Sequence, residues 1–214
     1  MRKDSESVVY VVDDDEAICN GVASSLKSIG LTVRCFASAQ SFLRCHRPDL
    51  PGCLVLDVRM PDTSGLDLQK VILKSAQPIP VIFITGYGDI RMAVEAMKEG
   101  AVEFLLKPFR DQDLLDAVSK GLTVDRAARS RRTTIRALSG RHDQLTGRER
   151  QVLIRLLNGR RNKQIATELR ISEITVKAHR HRVMEKMGAS SFAELVRMAE
   201  CLRQNGTIDQ GESS

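Results

Sequence analysis

The residues able to do chemistry in the first half of this sequence stand at the ends of apolar runs. They are Asp13, Asp14 and Asp15 after the first run, Asp57 at the end of the third, Thr85 at the end of the fourth, and Lys107 with Pro108 after the fifth. Each alone is as well explained by a turn, a helix cap or a solvated surface. Because they follow successive runs, chance is a poor explanation for the whole set.

Convergence of these groups would produce a site for phosphoryl transfer. Carboxylates that lie close together repel one another, and a divalent cation would offset that repulsion. A hard, oxygen-ligated ion such as Mg²⁺ suits this donor set. Beside such an ion, an aspartate can attack phosphorus in line, while Lys107 stabilises charge on the equatorial oxygens and the Thr85 hydroxyl lies opposite.

The elements that position these residues follow from the apolar pattern. The runs are rich in β-branched residues and continuous rather than alternating, which is typical of parallel strands covered on both faces. They cover residues 8–12, 31–36, 53–56, 81–84 and 102–106. Amphipathic helical stretches separate them, so the prediction is an α/β, doubly wound, five-stranded parallel sheet. In such a sheet, ligands bind at the carboxyl ends of the strands, where the charged residues stand.

Two of the intervening helices have recognisable apolar stripes. Ile18, Val22, Leu26 and Ile29 line one face of the first helix, and Val94, Met97 and Ala101 line one face of the fourth. Spacing of three to four residues places such side chains on one side of a helix. These stripes are predicted to pack on the sheet.

The second half of the sequence differs in charge and in pattern. Residues 1–122 carry 14 Lys and Arg against 17 Asp and Glu, and residues 123–214 carry 19 against 10, so their net charges are −3 and +9. An acidic half followed by a basic half indicates that the second meets a polyanion. From about Asp111 onward the pattern is helical without strands.

Capping residues divide the basic half into short helices. Thr146 and Glu149 form a capping box, Asn162 can cap the next helix, and Ser172 can cap a third that runs to about Met187. A short helix, a tight turn and a longer helix make a helix-turn-helix, which reads DNA through the second of its helices. The alternative is a basic helical bundle that binds protein or only dimerises.

One face of the third helix is predicted to enter a major groove. Val176, Val183 and Met187 form its core stripe. The opposite face carries Ile174, Ala178, His181 and Glu185, flanked by Lys177 and Arg182. Lys177 and His181 can donate to base edges or phosphates, and Ala178 allows close approach. Arg180 is nearer the core stripe and its role stays open; for His179 a structural role is favoured.

The first half resembles the receiver domains of two-component response regulators. The resemblance rests on Asp13-Asp14, Asp57, Thr85 and Lys107-Pro108, and it covers residues 8–120. Residues 57–65 (DVRMPDTSG) and 84–109 (ITGYGDIRMAVEAMKEGAVEFLLKPF) are similar to the FixJ subgroup.

The resemblance implies a role for each matching residue. Asp57 is expected to accept the phosphoryl group. Asp14, Asp57 and the backbone carbonyl of Arg59 are expected to bind Mg²⁺, with Asp13 reaching the ion through water. Lys107 and Thr85 are expected to contact the phosphoryl group, and Phe104 matches an aromatic residue that swings inward on activation.

The basic half resembles the LuxR-type DNA-binding domain over residues 142–200. The matching stretches are Leu145-Thr146-x-Arg148-Glu149, Asn162-Lys163-x-Ile165-Ala166 and Thr175-Val176-Lys177-x-His179. The resemblance implies that residues 175–181, which begin with Thr175, read the groove and that the last helix supports dimerisation. Arg170 occupies the tight turn where glycine is common, so we expect a strained or altered turn there.

These patterns predict a domain order. A receiver domain covers residues 1–122, a helical Arg-rich linker 123–141, a LuxR-type helix-turn-helix domain 142–203 and a disordered tail 204–214. The expected function is a phosphorylation-activated, sequence-specific transcription regulator, favoured as an activator. It is not expected to be an enzyme beyond catalysing its own aspartyl phosphorylation and dephosphorylation.

Partners and location follow from this interpretation. They are a sensor histidine kinase, double-stranded promoter DNA, RNA polymerase and, after phosphorylation, a second copy of the chain. No apolar run is long enough to cross a bilayer, and the start of the chain lacks a signal-peptide pattern, so a cytoplasmic protein without membrane contact is expected.

Two other classes of protein share parts of the pattern. An Asp-nucleophile phosphohydrolase uses a similar sheet, but such enzymes need a second acid two residues after the nucleophile, and here that residue is Arg59. A receiver joined to a protein-binding output domain would never touch DNA. DNA binding with and without a phosphodonor separates this last class from a transcription regulator.

Overall fold

The computed structural model describes residues 7–61, 63–86 and 90–208. The chain divides into two compact units, Met1–Arg129 and Ser130–Ser214. The first unit holds the sheet, and the second is helical.

The first unit alternates strands and helices, and its sheet is entirely parallel. The strands are β1 (Val8–Val12), β2 (Thr32–Phe36), β3 (Gly52–Asp57), β4 (Val81–Thr85) and β5 (Glu103–Leu106), in the order β2-β1-β3-β4-β5. The helices are α1 (Glu16–Ser28), α2 (Ala39–Leu43), α3 (Gly65–Leu73), α4 (Ile90–Lys98) and the first part of α5 (Asp111–Asp143), whose residues from Ser130 onward belong to the second unit. This confirms the predicted doubly wound α/β fold.

Strand register brings the predicted site residues to one edge of the sheet. Val12 pairs with Leu56, so Asp13 follows β1 at the level at which Asp57 ends β3. Asp57 in turn pairs with Ile84, the residue before Thr85. Parallel strands therefore deliver their carboxyl-terminal side chains to the same rim.

The sheet is buried on both faces, which explains the continuous apolar runs. β1, β3 and β4 are buried along their whole length. One core layer is built around Leu54, Leu56 and Phe83, and the other around Val55, Ile82 and Ile84. Alternate residues of a strand point to opposite layers, so neither layer can tolerate a polar run.

The predicted inner face of α4 is wrong. Val94 and Met97 are 46% and 43% exposed, whereas Ala96 is fully buried. The small side chain of Ala96 lets the helix lie close to the core, and the larger apolar residues stay outside. Ala101 is buried as predicted, but it lies beyond the end of α4. In α1, Val22 and Leu26 are buried as expected, while Ile29 is half exposed at the cap.

Helix α5 contains the predicted helical linker of residues 123–141 but extends beyond it at both ends. It runs without a break from Asp111 to Asp143, so the predicted boundary at residue 122 lies inside it. Asp125 is buried and accepts a hydrogen bond from the Gly52 amide at 2.9 Å, and Arg129 donates to Asp125 at 2.7 Å. Farther along, Leu138 is buried in the core of the second unit. The Arg-rich stretch therefore supplies packing residues to each unit.

The second unit holds α6 (Gly147–Leu157), α7 (Asn162–Leu169), α8 (Glu173–Met187) and α9 (Phe192–Gln204). The capping box of Thr146 and Glu149 is confirmed, and Ser172 caps α8 by accepting from the Thr175 amide at 3.1 Å. The predicted cap by Asn162 is wrong. The N-cap is Arg161, whose amide donates to the Gln164 side chain at 2.8 Å.

The predicted disordered tail begins too early. Gln204 is the last residue of α9, and Ile208 beyond it is buried against the core of the second unit. An apolar side chain four residues past the end of a helix can still pack on the core. The polar residues around it made this packing difficult to predict from the sequence. Residues 209–214 lie outside the described residues.

We predict that Val183→Asp unfolds the second unit. Val183 has no exposed surface, and a carboxylate there would lack a hydrogen-bond partner in an apolar core. Urea melts followed by circular dichroism should show a loss of about 3 kcal/mol or more. Arg182→Asp, the same change at the exposed neighbouring position, is the control and should melt like the parent within about 0.5 kcal/mol. Equal melting of both variants would contradict the assigned core stripe.

Candidate functional site

The three acidic residues after β1 have three different positions. Asp13 is buried, and its Oδ1 accepts the Asp15 amide at 2.9 Å. Asp15 is the N-cap of α1 and accepts the Ala17 amide at 2.8 Å. Asp14 is exposed, and among the described residues it has no hydrogen bond or ion pair. Only the first of the three carboxylates is buried.

Lys107 joins the buried carboxylates of two strands. Its Nζ lies 2.6 Å from Asp13 Oδ2 and 2.9 Å from Asp57 Oδ1. The second oxygen of Asp57 accepts the backbone amide of Arg59 at 2.8 Å. Both oxygens of Asp57 are therefore engaged, and the carboxylate has a fixed orientation. Of the predicted site residues, the structure brings these three side chains into direct contact.

Burial and charge oppose one another in this cluster. Burial raises the pKa of Asp57, Asp13 raises it further, and hydrogen bonding and attraction to Lys107 only partly offset the increase. For Lys107, burial lowers the pKa, but the hydrogen bonds to Asp13 and Asp57 outweigh burial and raise it. The ammonium therefore stays charged, which two adjacent carboxylates require.

The path of the loop after β3 requires glycine at position 65, eight residues after Asp57. The Gly65 amide donates to the Val58 carbonyl at 2.9 Å, and a Cβ at Gly65 would lie 2.3 Å from the Asp57 carbonyl oxygen. Only glycine permits this approach without movement of the loop. The loop that positions Asp57 and Arg59 thus depends on the missing side chain.

Thr85 and Phe104 lie on the two strands beyond Asp57. Thr85 is buried at the end of β4, and its carbonyl accepts the Lys107 amide at 2.7 Å. Phe104 is half buried on β5, with its ring 6.3 Å from the ring of Phe83. The backbone contact connects the threonine to the lysine that binds Asp57. Phe104 lies on β5, the edge strand that leads to Lys107.

The oxygen donors of this pocket fit a hard cation better than a soft one. The carboxylates of Asp13 and Asp57 converge closely enough to share one ammonium group. Within the described ranges no cluster of three or more His, Cys, Asp or Glu side chains is arranged to hold a metal. A backbone carbonyl and water molecules would complete the coordination sphere, as Mg²⁺ permits in proteins.

The second unit presents a separate basic surface on α8. Thr175, Lys177, Ala178, His181 and Arg182 are all exposed, and Val176, Val183 and Met187 are buried. The predicted division of this helix into a core stripe and an outer face is therefore observed. Ile174, on the outer face, is 79% exposed. His179 is half buried, with a buried Nδ1 that has no hydrogen-bond partner among the described residues.

The turn between α7 and α8 contains Arg170 in the left-handed region, with φ 53° and ψ 48°. This conformation costs a residue with a Cβ about 1 kcal/mol relative to glycine. Two backbone hydrogen bonds close the turn, from Arg170 to the Thr167 carbonyl at 3.3 Å and from Ile171 to the Ala166 carbonyl at 3.0 Å. The altered turn expected from the sequence is thus a glycine-like turn made by arginine.

Sequence reasoning missed one contact that supports this surface. The Nζ of Lys186, in the last turn of α8, lies 2.7 Å from Glu149, which is itself buried in the capping box of α6. The pair fixes α8 against α6. Its members are 37 residues apart in sequence, so no local pattern could identify it.

Comparisons with known proteins agree with both halves of the structure. Residues 9–119 match the family described as response regulator receiver domain, and residues 143–199 match bacterial regulatory proteins, luxR family. The response regulator protein TmoT of Ectopseudomonas mendocina is 48% identical over 202 residues, which cover 94% of this chain and 92% of that protein. The chain belongs to the response regulator family.

Two further similarities cover nearly the whole response regulator. The transcriptional regulatory protein FixJ of Bradyrhizobium diazoefficiens is 42% identical over 191 residues, 89% of this chain and 93% of that one. A low-resolution structure of response regulator StyR has a TM-score of 0.80 and 48% identity, and covers 91% of this chain and 98% of that one. The protein is a two-component transcription regulator with a LuxR-type DNA-binding domain, and a kinase and DNA are the partners that this family implies.

No helix in the described part of this response regulator is both long and apolar enough to cross a membrane.

We predict that Lys107→Met destabilises the receiver in a pH-dependent way. Without the ammonium, the pKa of Asp57 should rise further, because Asp13 then acts on it unopposed. When folding raises the pKa of an acid, the contribution of that acid to the stability of the folded state is most favourable below its ordinary, unfolded-state pKa. This contribution is lost as pH rises through the raised, folded-state pKa. The loss relative to the parent should therefore be larger at about pH 7.5 than at about pH 5, reaching about 2 kcal/mol.

Urea melts without added metal measure this loss, and Lys120→Met is the matched control. Lys120 pairs with Glu103 at 3.1 Å, and the two side chains are 56% and 38% exposed, so this variant should lose about 0.5 kcal/mol or less at either pH. A pH-independent loss in Lys107→Met would contradict the assigned charge coupling.

Proposed function

We propose that this response regulator is phosphorylated on Asp57 and that phosphorylation activates binding of its second unit to promoter DNA. The observation that carries the proposal is the contact of Lys107 with Asp13 and Asp57. It joins a buried, oriented aspartate to a cation at the carboxyl ends of parallel strands, where such sheets bind ligands.

In the proposed reaction, a carboxylate oxygen of Asp57 attacks the phosphorus of a donor in line, and the donor's leaving group departs from the opposite side. The Arg59 amide, which donates to Oδ2, orients the attacking group. Lys107 neutralises charge on the transferred phosphoryl group, and the Thr85 hydroxyl donates to it. The same site catalyses later hydrolysis of the aspartyl phosphate and no other reaction.

Mg²⁺ is the proposed cofactor, and the family typically binds it at acidic residues. Asp14, Asp57 and the Arg59 carbonyl would hold the ion, with Asp13 acting through water. When bound, it supplies positive charge to the phosphoryl oxygens. The exposed position of Asp14 keeps the outer side of this site open to solvent and donor.

Phosphorylation is proposed to favour a homodimer. When Lys107 and Thr85 contact the phosphoryl group, their hydrogen-bond partners change. Phe104 lies on β5, the strand that leads to Lys107. Val94, Met97 and Leu106, on α4 and β5, are between 43% and 54% exposed and form an apolar surface that a second copy could cover. A modification shifts such an equilibrium only by stabilising one state more than the other.

On DNA, the outer face of α8 is proposed to enter the major groove. The contacting residues are Thr175, Lys177, Ala178, His181 and Arg182. All are exposed, and the opposite side of the helix is fixed in the core. A dimer would place two such helices on adjacent half-sites.

The remaining partners complete the proposal. A sensor histidine kinase donates the phosphoryl group, and RNA polymerase is the downstream partner of an activator in the cytoplasm. A phosphohydrolase is not favoured, because Arg59 is exposed where such an enzyme needs an acid. Family membership also places the chain among regulators rather than enzymes.

The phosphorylation site can be tested by substitution. Asp57→Asn should abolish labelling by a small phosphodonor such as acetyl phosphate, because the amide cannot form the acyl phosphate. The melting curve should stay close to that of the parent. The control is Asp116→Asn, which changes an exposed carboxylate on α5 and should label fully. Hydroxylamine should release the label from the parent and from the control. Full labelling of Asp57→Asn would refute the assignment.

The DNA-reading face can be tested by removing Lys177 or His181. Binding sites are first selected from genomic fragments with the phosphorylated parent. If Lys177 reads a base edge, Lys177→Ala should cost about 1–3 kcal/mol and relax preference at one position in each half-site. If it contacts phosphate, all sites should weaken equally, and the slope of log K against log salt should fall by about 0.9.

His181→Ala is measured in the same way, and Lys74→Ala, which removes an exposed lysine of the first unit, is the control. All variants must melt like the parent before affinities are compared. Parental affinity and specificity in both α8 variants would show that another face of the unit contacts DNA.

A further inference from the structure

A basic cleft lies beside the proposed DNA-reading face of the second unit. Its volume is about 600 Å³, and it opens between the start of α7, the middle of α8 and the start of α9. Four cationic side chains line it, against one carboxylate. The charged lining residues are Arg160, Arg161, Lys163, Arg180 and Glu173.

Most of the positive charge in the cleft is not neutralised within the unit. Glu173 lies 3.8 Å from Lys177, and Arg160 lies 3.4 Å from Glu168. In the part of the chain that the structure describes, no carboxylate lies within 4.0 Å of the side-chain nitrogens of Arg161, Lys163 or Arg180. Three cations in one concave site favour an anionic ligand.

Arg180 is held in this cleft by an aromatic ring. Its Cζ lies 5.4 Å from the centroid of Phe192, the first residue of α9, and Phe192 is 37% exposed. A guanidinium over a ring gains cation–π attraction through its face. Its N–H donors lie in the guanidinium plane and stay available at its edge. Phe192 therefore fixes where the Arg180 fork points without using its donors.

The position of Arg180 on α8 separates it from the residues proposed to reach bases. At about 100° per residue, Arg180 lies about 40° from the core stripe and Lys177 about 100° from it. A helix in the major groove turns its outer face to the bases and its flanks toward the phosphates on either side. Arg180 lies between the core stripe and such a flank, so its side chain lines the cleft beside the reading face, and the start of α7, with its positive end of the helix dipole, lies across the cleft.

We propose that Arg180, with Arg161 and Lys163, binds a backbone phosphate of the target DNA, and that Phe192 is the positioning residue for Arg180. The inference rests on the proposed function and adds a contact that sets the register of the unit on the duplex. A planar fork matches the oxygen pair of a phosphodiester, so arginine is better suited than lysine to this position.

The experiment measures DNA binding by the phosphorylated full-length chain across a range of salt concentrations. The probes are a selected target duplex and a scrambled duplex of equal length. Arg180→Ala should weaken binding to both by about tenfold, the loss of one charge-assisted contact. The slope of log K against log salt should fall by about 0.9, and the ratio of specific to non-specific affinity should stay the same.

Three further single variants and one double variant separate a phosphate contact from general damage. Arg148→Ala removes an exposed arginine of α6 outside the cleft and should keep the parental slope. Phe192→Leu should show part of the loss of binding that Arg180→Ala shows. Phe192→Tyr, which keeps a ring, should bind DNA like the parent. In an Arg180→Ala background, Phe192→Leu should cause no further loss, because its role acts through the arginine.

Each outcome decides the inference. Parental slope and affinity in Arg180→Ala, or equal effects of Arg180→Ala and Arg148→Ala, would refute the phosphate contact while leaving DNA binding intact. An additive double variant would refute positioning by Phe192. If Arg180→Ala does not melt like the parent, Arg180→Gln takes its place with the same expected slope. Failure of the parent to prefer the selected duplex would instead refute the proposed function itself.

Discussion

The whole receiver unit is organised around one ammonium group between two buried carboxylates. Asp13 follows β1 and Asp57 ends the neighbouring strand β3, while Lys107 follows the edge strand β5 and reaches past β4 to contact both. Two adjacent carboxylates in a buried site need a counter-charge. The strand order is what makes that reach possible, since it places the lysine on one side and the acids at the centre.

This arrangement explains how a local reaction could alter a distant surface. A phosphoryl group on Asp57 would compete with Asp13 and Asp57 for the same ammonium group. Lys107 is also joined through its backbone amide to the carbonyl of Thr85. Under the proposed phosphorylation, a change at Asp57 would therefore act directly on the ends of β4 and β5. Of the exposed apolar residues, Leu106 ends β5, and Val94 and Met97 lie on α4, the helix that connects β4 to β5.

The sequence predicted the elements of both units better than it predicted which faces they bury. Continuous apolar runs identify buried parallel strands because both faces must be apolar, and the charged run ends then converge by topology alone. The prediction of which face of α4 is buried was wrong because the helix has apolar residues on two sides. The small residue Ala96 is the one buried in the core, and Val94 and Met97 are exposed. The role of Asp125 was missed because its partner, the Gly52 amide, is 73 residues away.

Arg170 shows how the DNA-binding unit accommodates an unfavourable local choice. Its left-handed conformation is costly, yet it ends α7 and begins the turn that leads to α8. The cost of about 1 kcal/mol is offset nearby by the Ser172 cap and by complete burial of Val176, the fourth residue of α8. The ion pair of Glu149 with Lys186 restrains the far end of the same helix. Because α8 is fixed at both ends, the side chains on its outer face keep the spacing of a rigid helix, which reading successive base pairs requires.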